Sequence, residues 1–141
     1  MIKKILFIII AIFTLLQFIP AKIENPKTNP ALEIKAPQEV MAIFKRSCYD
    51  CHSNNVQVPW YAAVAPVSFT IKRHVDLGRQ WLNFSTWENY TLKEKDDKLK
   101  EIFRTVYAAM PLGSYLSMHE EAKLTKEEIQ LVRDWTGKAP Y

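Results

Sequence analysis

The stretch "RSCYDCHSNN" (Arg46–Asn55) holds both cysteines of the 141-residue chain and one of its three histidines. Within it Cys48, Cys51 and His52 stand as Cys-x-x-Cys-His. Such a triplet serves four chemistries: a thiol redox pair, part of a zinc site, a structural disulfide, or the attachment point of a haem. The rest of the chain separates them.

A thioredoxin-like pair needs a strand leading into the motif. Here "PQEVMAIFKRSC" leads in, with Val40, Ile43 and Phe44 on one helical face and Pro37 suited to a first turn. A structural zinc site wants four thiolate or imidazole ligands. The triplet gives three, with His52 too close to Cys51 for easy tetrahedral geometry, and only His74 and His119 remain as a fourth. A disulfide closed over two residues stabilises little. Haem attachment uses every residue: two thiols three positions apart add to the vinyl groups on one porphyrin edge, and the adjacent His ligates the iron. The motif therefore predicts one covalent haem c on Cys48 and Cys51, with His52 as proximal ligand.

The N-terminus agrees. Lys3 and Lys4 precede an apolar run, "ILFIIIAIFTLLQFI" (residues 5–19), broken only by Thr14 and Gln17. A positive start before such a run is an export signal. The exit "FIPAKIENP" lacks a clean small-x-small cleavage site, which points to an uncleaved anchor with the lysines inside; a cleaved signal peptide is the alternative. Residues 1–21 are read as this segment, and both readings place the domain outside the cytoplasm, in the periplasm. Residues 22–36, with Pro26 and Pro30, read as a proline-rich tether. The domain then spans 37–141, small for a self-sufficient core and in want of a staple. Without Lys3 and Lys4, 17 basic side chains face 15 acidic ones, and no basic cluster interleaved with aromatics suggests nucleic acid.

Helical signals recur through the domain and strand alternation is absent. "PVSFTIKRHVDLGRQWLN" repeats Val67, Ile71, Val75 and Leu82 at helical spacing, with His74 read as a core histidine. Gly78 on that face allows close approach by a helix or ring, or marks a kink. Capping boxes are expected at Ser85–Glu88, Thr91–Glu94 and Thr125–Glu128, and the last helix, "KEEIQLVRDWTG", stops near Gly137. The fold class predicted is all-α: four to five short helices wrapped around one flat, apolar group.

A second axial ligand is expected downstream. Met110 in "AAMPLG" is best placed, in a loop between two helices and stiffened by Pro111. Met118 and His119 in "YLSMHEE" are the rivals. The tryptophans read as core, while Trp60 and Tyr61 follow the motif loop and could reach a haem propionate through ring N–H and O–H.

The blocks "CYDCHSNN", "VPWYAAVAPVSF", "HVDLGRQWLNFSTW", "AAMPLGSYLSMHEEAKLT" and "DWTG" resemble a family of small bacterial haem-binding domains related to class I cytochromes c. The resemblance covers about 37 to 137. It implies covalent haem on Cys48 and Cys51, His52 as proximal ligand, and Met110 as distal ligand from the Met-Pro pair before the last helix. The expected function is a membrane-tethered monohaem cytochrome, not an enzyme, which carries single electrons between periplasmic or membrane redox proteins. A haem-based sensor with a labile distal ligand is the alternative.

Overall fold

The computed structural model describes residues 1–139, among which there are seven α-helices and no strand. They are α1 (Ile2–Leu16), α2 (Gln38–Ser47), α3 (Tyr49–His52), α4 (Val67–Trp81), α5 (Leu92–Ala108), α6 (Gly113–Leu116) and α7 (Lys126–Thr136). Short 3-10 turns at Pro30–Leu32, Trp60–Ala63, Phe84–Asn89 and Glu120–Ala122 join them. The expected all-α class is observed. Four longer helices, α2, α4, α5 and α7, form the body of the domain, and the motif itself folds as the separate one-turn helix α3.

Local chemistry explains where the helices begin. Thr91 and Thr125 each accept a bond from the N–H three residues on, while Glu94 and Glu128 reach back to the threonine N–H, so both boxes satisfy otherwise orphaned donors. The third expected box does not form. Asn83, two residues before Ser85, takes the cap and accepts from the Ser85 N–H at 3.0 Å, and Ser85 is buried in another network. Helix α7 ends at Gly137, whose φ of 63° is the left-handed conformation that glycine adopts without a Cβ penalty.

The core gathers where α2, α5 and α7 meet. Phe44 stacks on Phe84 at 4.8 Å and takes the edge of Trp135 at 5.2 Å. Val40, Ile102, Val106 and Val132 close around them. Each such side chain, fully buried, contributes about 1.5–3 kcal/mol. Arg46 at the end of α2 pairs with Glu128 at the start of α7 at 2.8 Å. Two tryptophans read as core are on the surface: Trp60 is 78% exposed and Trp81 65%, whereas Trp87 is buried. Trp81 ends α4 on the side turned from the core, and Trp60 opens the short 3-10 turn at Trp60–Ala63.

The segment read as a tether is extended, yet it is fastened to the domain. Ile34 is buried in the core, and its N–H donates to the Phe84 carbonyl at 2.9 Å. Asn25 pairs with the Val56 backbone in both directions at 3.0 Å, and Arg79 donates to the Glu24 carbonyl at 2.7 Å. The packed structure therefore begins well before residue 37. Helix α1 carries Lys3 and Lys4 in its first turn, is apolar beyond them except for Thr14, and buries none of its residues. No helix among the described residues is long and apolar enough to cross a membrane.

Candidate functional site

Helix α2 delivers Cys48 at its C-terminal end, and α3 turns the chain so that His52 follows one turn later. Two backbone carbonyls then fix the imidazole. His52 Nδ1 lies 3.0 Å from the Gly78 oxygen and 3.0 Å from the Leu82 oxygen. Carbonyls only accept, so Nδ1 carries the proton and the lone pair is left on Nε2. Burial lowers the His52 pKa, against the pull of those two bonds, and favours the neutral ring. A neutral imidazole with its far nitrogen anchored is the form that ligates metals.

Gly78 makes the anchoring possible. A Cβ at this position would meet the Cys51 carbonyl oxygen at 2.4 Å and the Cys51 Cβ at 3.2 Å. Of the two uses open to Gly78 in the sequence, the structure takes the close approach: α4 lies backbone to backbone on the motif.

A buried polar network holds the same region from the other side. Ser53 Oγ donates to the Tyr49 carbonyl at 2.8 Å, the Asn54 N–H to Ser85 Oγ at 3.0 Å, and Asn83 Nδ2 to Asn54 Oδ1 at 2.8 Å. Arg79 Nε donates to the Ser53 carbonyl at 2.7 Å. The "HSNN" and "LNFS" blocks are thus partners in space. Tyr49, between the two cysteines, donates to Glu33 at 2.8 Å and ties the N-terminal segment to the motif.

An open, apolar cavity lies beside this frame. It is lined by Cys48, His52 and Met110 together with apolar side chains that include Phe44, Leu82, Ile102 and Leu124. Motif and Met110 thus come together from opposite ends of the domain. Cys51 does not line the cavity; it sits against Gly78.

The rivals of Met110 lie elsewhere. Met118 is 57% exposed, and neither it nor His119 lines the cavity. Both nitrogens of His119 are engaged: Nε2 with the Tyr61 hydroxyl at 2.5 Å and Nδ1 with Glu121 at 2.9 Å. Tyr115 stacks on the His119 ring at 4.3 Å and donates to Asp50 at 2.8 Å. The segment after Met110 is therefore latched to the motif through Asp50 and Tyr61. Nothing in the sequence marked Tyr115 or Asp50 for this, because both look like ordinary loop residues. Trp60 packs edge-on against Tyr61 at 5.8 Å, and neither lines the cavity. His74, read as a core histidine, is half-buried on α4.

The donor set discriminates among the four chemistries. The cysteines are unpaired. Burial pushes Cys48 up to about 12 and Cys51 up to about 11, the opposite of the low-pKa thiolate that thiol exchange requires. Among the described residues no group of three or more His, Cys, Asp or Glu side chains gathers as a metal-binding set. A haem fits: an apolar cavity for the ring, a neutral anchored imidazole and a thioether on the lining, and thiols in the adjoining turn.

The family model described as "Haem-binding domain" matches residues 11–138, nearly the whole chain. No curated protein and no solved structure gives a significant match.

Proposed function

The chain belongs to the haem-binding domain family, and from that premise we propose that it is a membrane-tethered monohaem c-type cytochrome that passes single electrons between periplasmic redox partners. The observation that carries this reading is the meeting of Cys48, His52 and Met110 on one apolar cavity.

When bound, haem supplies a one-electron couple between ferrous and ferric iron. The protein supplies the rest. The Cys48 and Cys51 thiols would hold the group as thioethers, sulfur to one carbon of each vinyl group and the thiol hydrogen to the other, so attachment would consume no oxidant or reductant. His52 would hold the iron through its Nε2 lone pair, which the bonds at Nδ1 leave free. The bonds from Nδ1 to the Gly78 and Leu82 carbonyls hold the ring's rotation and raise its basicity. Met110 would hold the iron through its thioether, a ligand that raises the reduction potential relative to a second imidazole. Phe44, Leu82, Ile102 and Leu124 on the cavity lining would keep water from the ring, which would favour the less charged state of the iron.

The tether rests on α1 and the lysines before its apolar run. With His52 and Met110 both holding the iron, no coordination position would be left open, which supports a carrier rather than an enzyme.

Potentiometric titration of the full chain, followed by haem absorbance, tests this. The expected result is one reversible wave that transfers a single electron, with the reduced protein slow to take up carbon monoxide. Rapid carbon monoxide binding by the reduced protein at neutral pH would contradict it and favour the sensor reading.

A further inference from the structure

Helix α1 is too short for its task if it acts alone. Fifteen residues at the helical rise reach about 22 Å, against a hydrocarbon core of about 30 Å. What stands at its foot bears on that shortfall. Gln17, just past the helix, pairs with the Ala65 backbone in both directions: Nε2 donates to the carbonyl at 3.2 Å, and the Ala65 N–H donates to Oε1 at 3.0 Å. The end of α1 is therefore fastened to one particular loop of the domain.

That loop is unusual in composition. Residues 53–71, "SNNVQVPWYAAVAPVSFTI", contain no charged side chain. Four of its apolar members are turned outward, while Val56, Ala62 and Ala65 are buried beneath them: Val58 is 51% exposed, Trp60 78%, Val64 38% and Val67 45%. Phe18 at 80% and Ile19 at 52%, beside Gln17, extend the same surface. An uncharged apolar rim of this kind marks an interaction surface. A tryptophan with one apolar face and one N–H suits the membrane–water boundary.

We propose that the Val58–Val67 loop is a membrane-contact surface that lies in the headgroup boundary of the bilayer that takes α1. The inference rests on the tether reading above. Continuity with α1 identifies the occupant: Gln17 brings Val64 and Val67 to the foot of the helix. Apolar groups settle about 5–10 Å into the boundary, which is the depth that α1 leaves uncovered. The domain would then ride on the membrane in one orientation, rather than swing on a free tether.

The test uses haem-loaded full chain in vesicles of phosphatidylethanolamine and phosphatidylglycerol, with single cysteines introduced by Val58→Cys, Trp60→Cys, Tyr107→Cys and Ile8→Cys. Labelling by a bulky, water-soluble maleimide is followed by gel shift, and the parent chain gives the blank. Tyr107 is 73% exposed on α5 and serves as the match for Trp60. Its labelling also gives the fraction of molecules that face outward. The expected result is labelling at positions 58 and 60 slower than at 107 by about tenfold or more, as for groups inside the boundary, with position 8 protected. Equal rates at 58, 60 and 107 with position 8 protected would overturn the contact surface and leave the tether standing. A reactive position 8 would overturn the tether, and the contact surface with it. Two sites in the loop guard against a variant that disturbs the fold, and the haem spectrum of each variant verifies that it is native.

Discussion

Gly78→Ala is expected to destabilise the domain by about 2–4 kcal/mol and to reduce the yield of haem-loaded protein. Three contributions set this size. Substitution of glycine by alanine within a helix gains about 1 kcal/mol from backbone entropy. Against it, the new Cβ meets the Cys51 carbonyl oxygen at 2.4 Å, backbone against backbone, where no side chain can yield. Overpacking of this kind costs about 1–3 kcal/mol or more. As α4 backs away, the Gly78 and Leu82 carbonyls recede from His52 Nδ1. A buried N–H left without its acceptor costs about 1–3 kcal/mol. Gly113→Ala is the control, since nothing lies within 4 Å of its added Cβ; it should change stability by no more than about 0.5 kcal/mol. Denaturant midpoints of the two variants beside the parent measure the difference. An unchanged or raised midpoint for Gly78→Ala would mean that α4 does not lie on the motif.

Met110→Ala is expected to leave the haem attached and to remove its distal ligand. Cys48, Cys51 and His52 do not depend on Met110 for their positions: α2, α3 and the carbonyls of α4 hold them. The reduction potential should fall by roughly 0.1–0.3 V, a substantial part of the span of about 0.8 V that axial ligands command. The optical spectrum should change to that of a five-coordinate iron or of one with water in the vacated position. Met118→Ala should leave both readouts in place, because Met118 is exposed and away from the cavity. His119→Ala should act differently from either. It breaks the pairing with Tyr61 and the stack with Tyr115, so it should loosen the segment that follows Met110 and shift the potential less than removal of the thioether does. If His119→Ala produced the large drop and Met110→Ala none, the distal assignment would pass to the histidine.

Much of this fold could be read from local sequence because it is written in local chemistry. Thr91 and Thr125 find their glutamates three residues away, Gly137 turns the chain by itself, and the motif is contiguous. The failures have a common cause in contacts between distant residues. Ser85 resembled a cap, but its partner is the Asn54 N–H, 31 residues upstream. Ile34 was hidden among prolines and polar residues, and only its pairing with Phe84 makes it core. The partners of His52 were invisible for another reason: backbone carbonyls leave no mark in the side-chain sequence. Gly78 gave half the signal. A missing Cβ on an apolar face showed that something comes close, though not that it is the motif. Tyr115 and Asp50 gave none, because a single hydroxyl–carboxylate bond across the domain has no sequence pattern.

In the proposed function Cys48 and Cys51 hold one haem covalently. The most direct measurement is the intact mass of the denatured, exported protein, compared with that of the double variant Cys48→Ser, Cys51→Ser. The parent is expected to carry the mass of one haem, which survives denaturation, and the double variant to carry none. A parent chain at its bare polypeptide mass, with haem released on denaturation or never acquired, would contradict it.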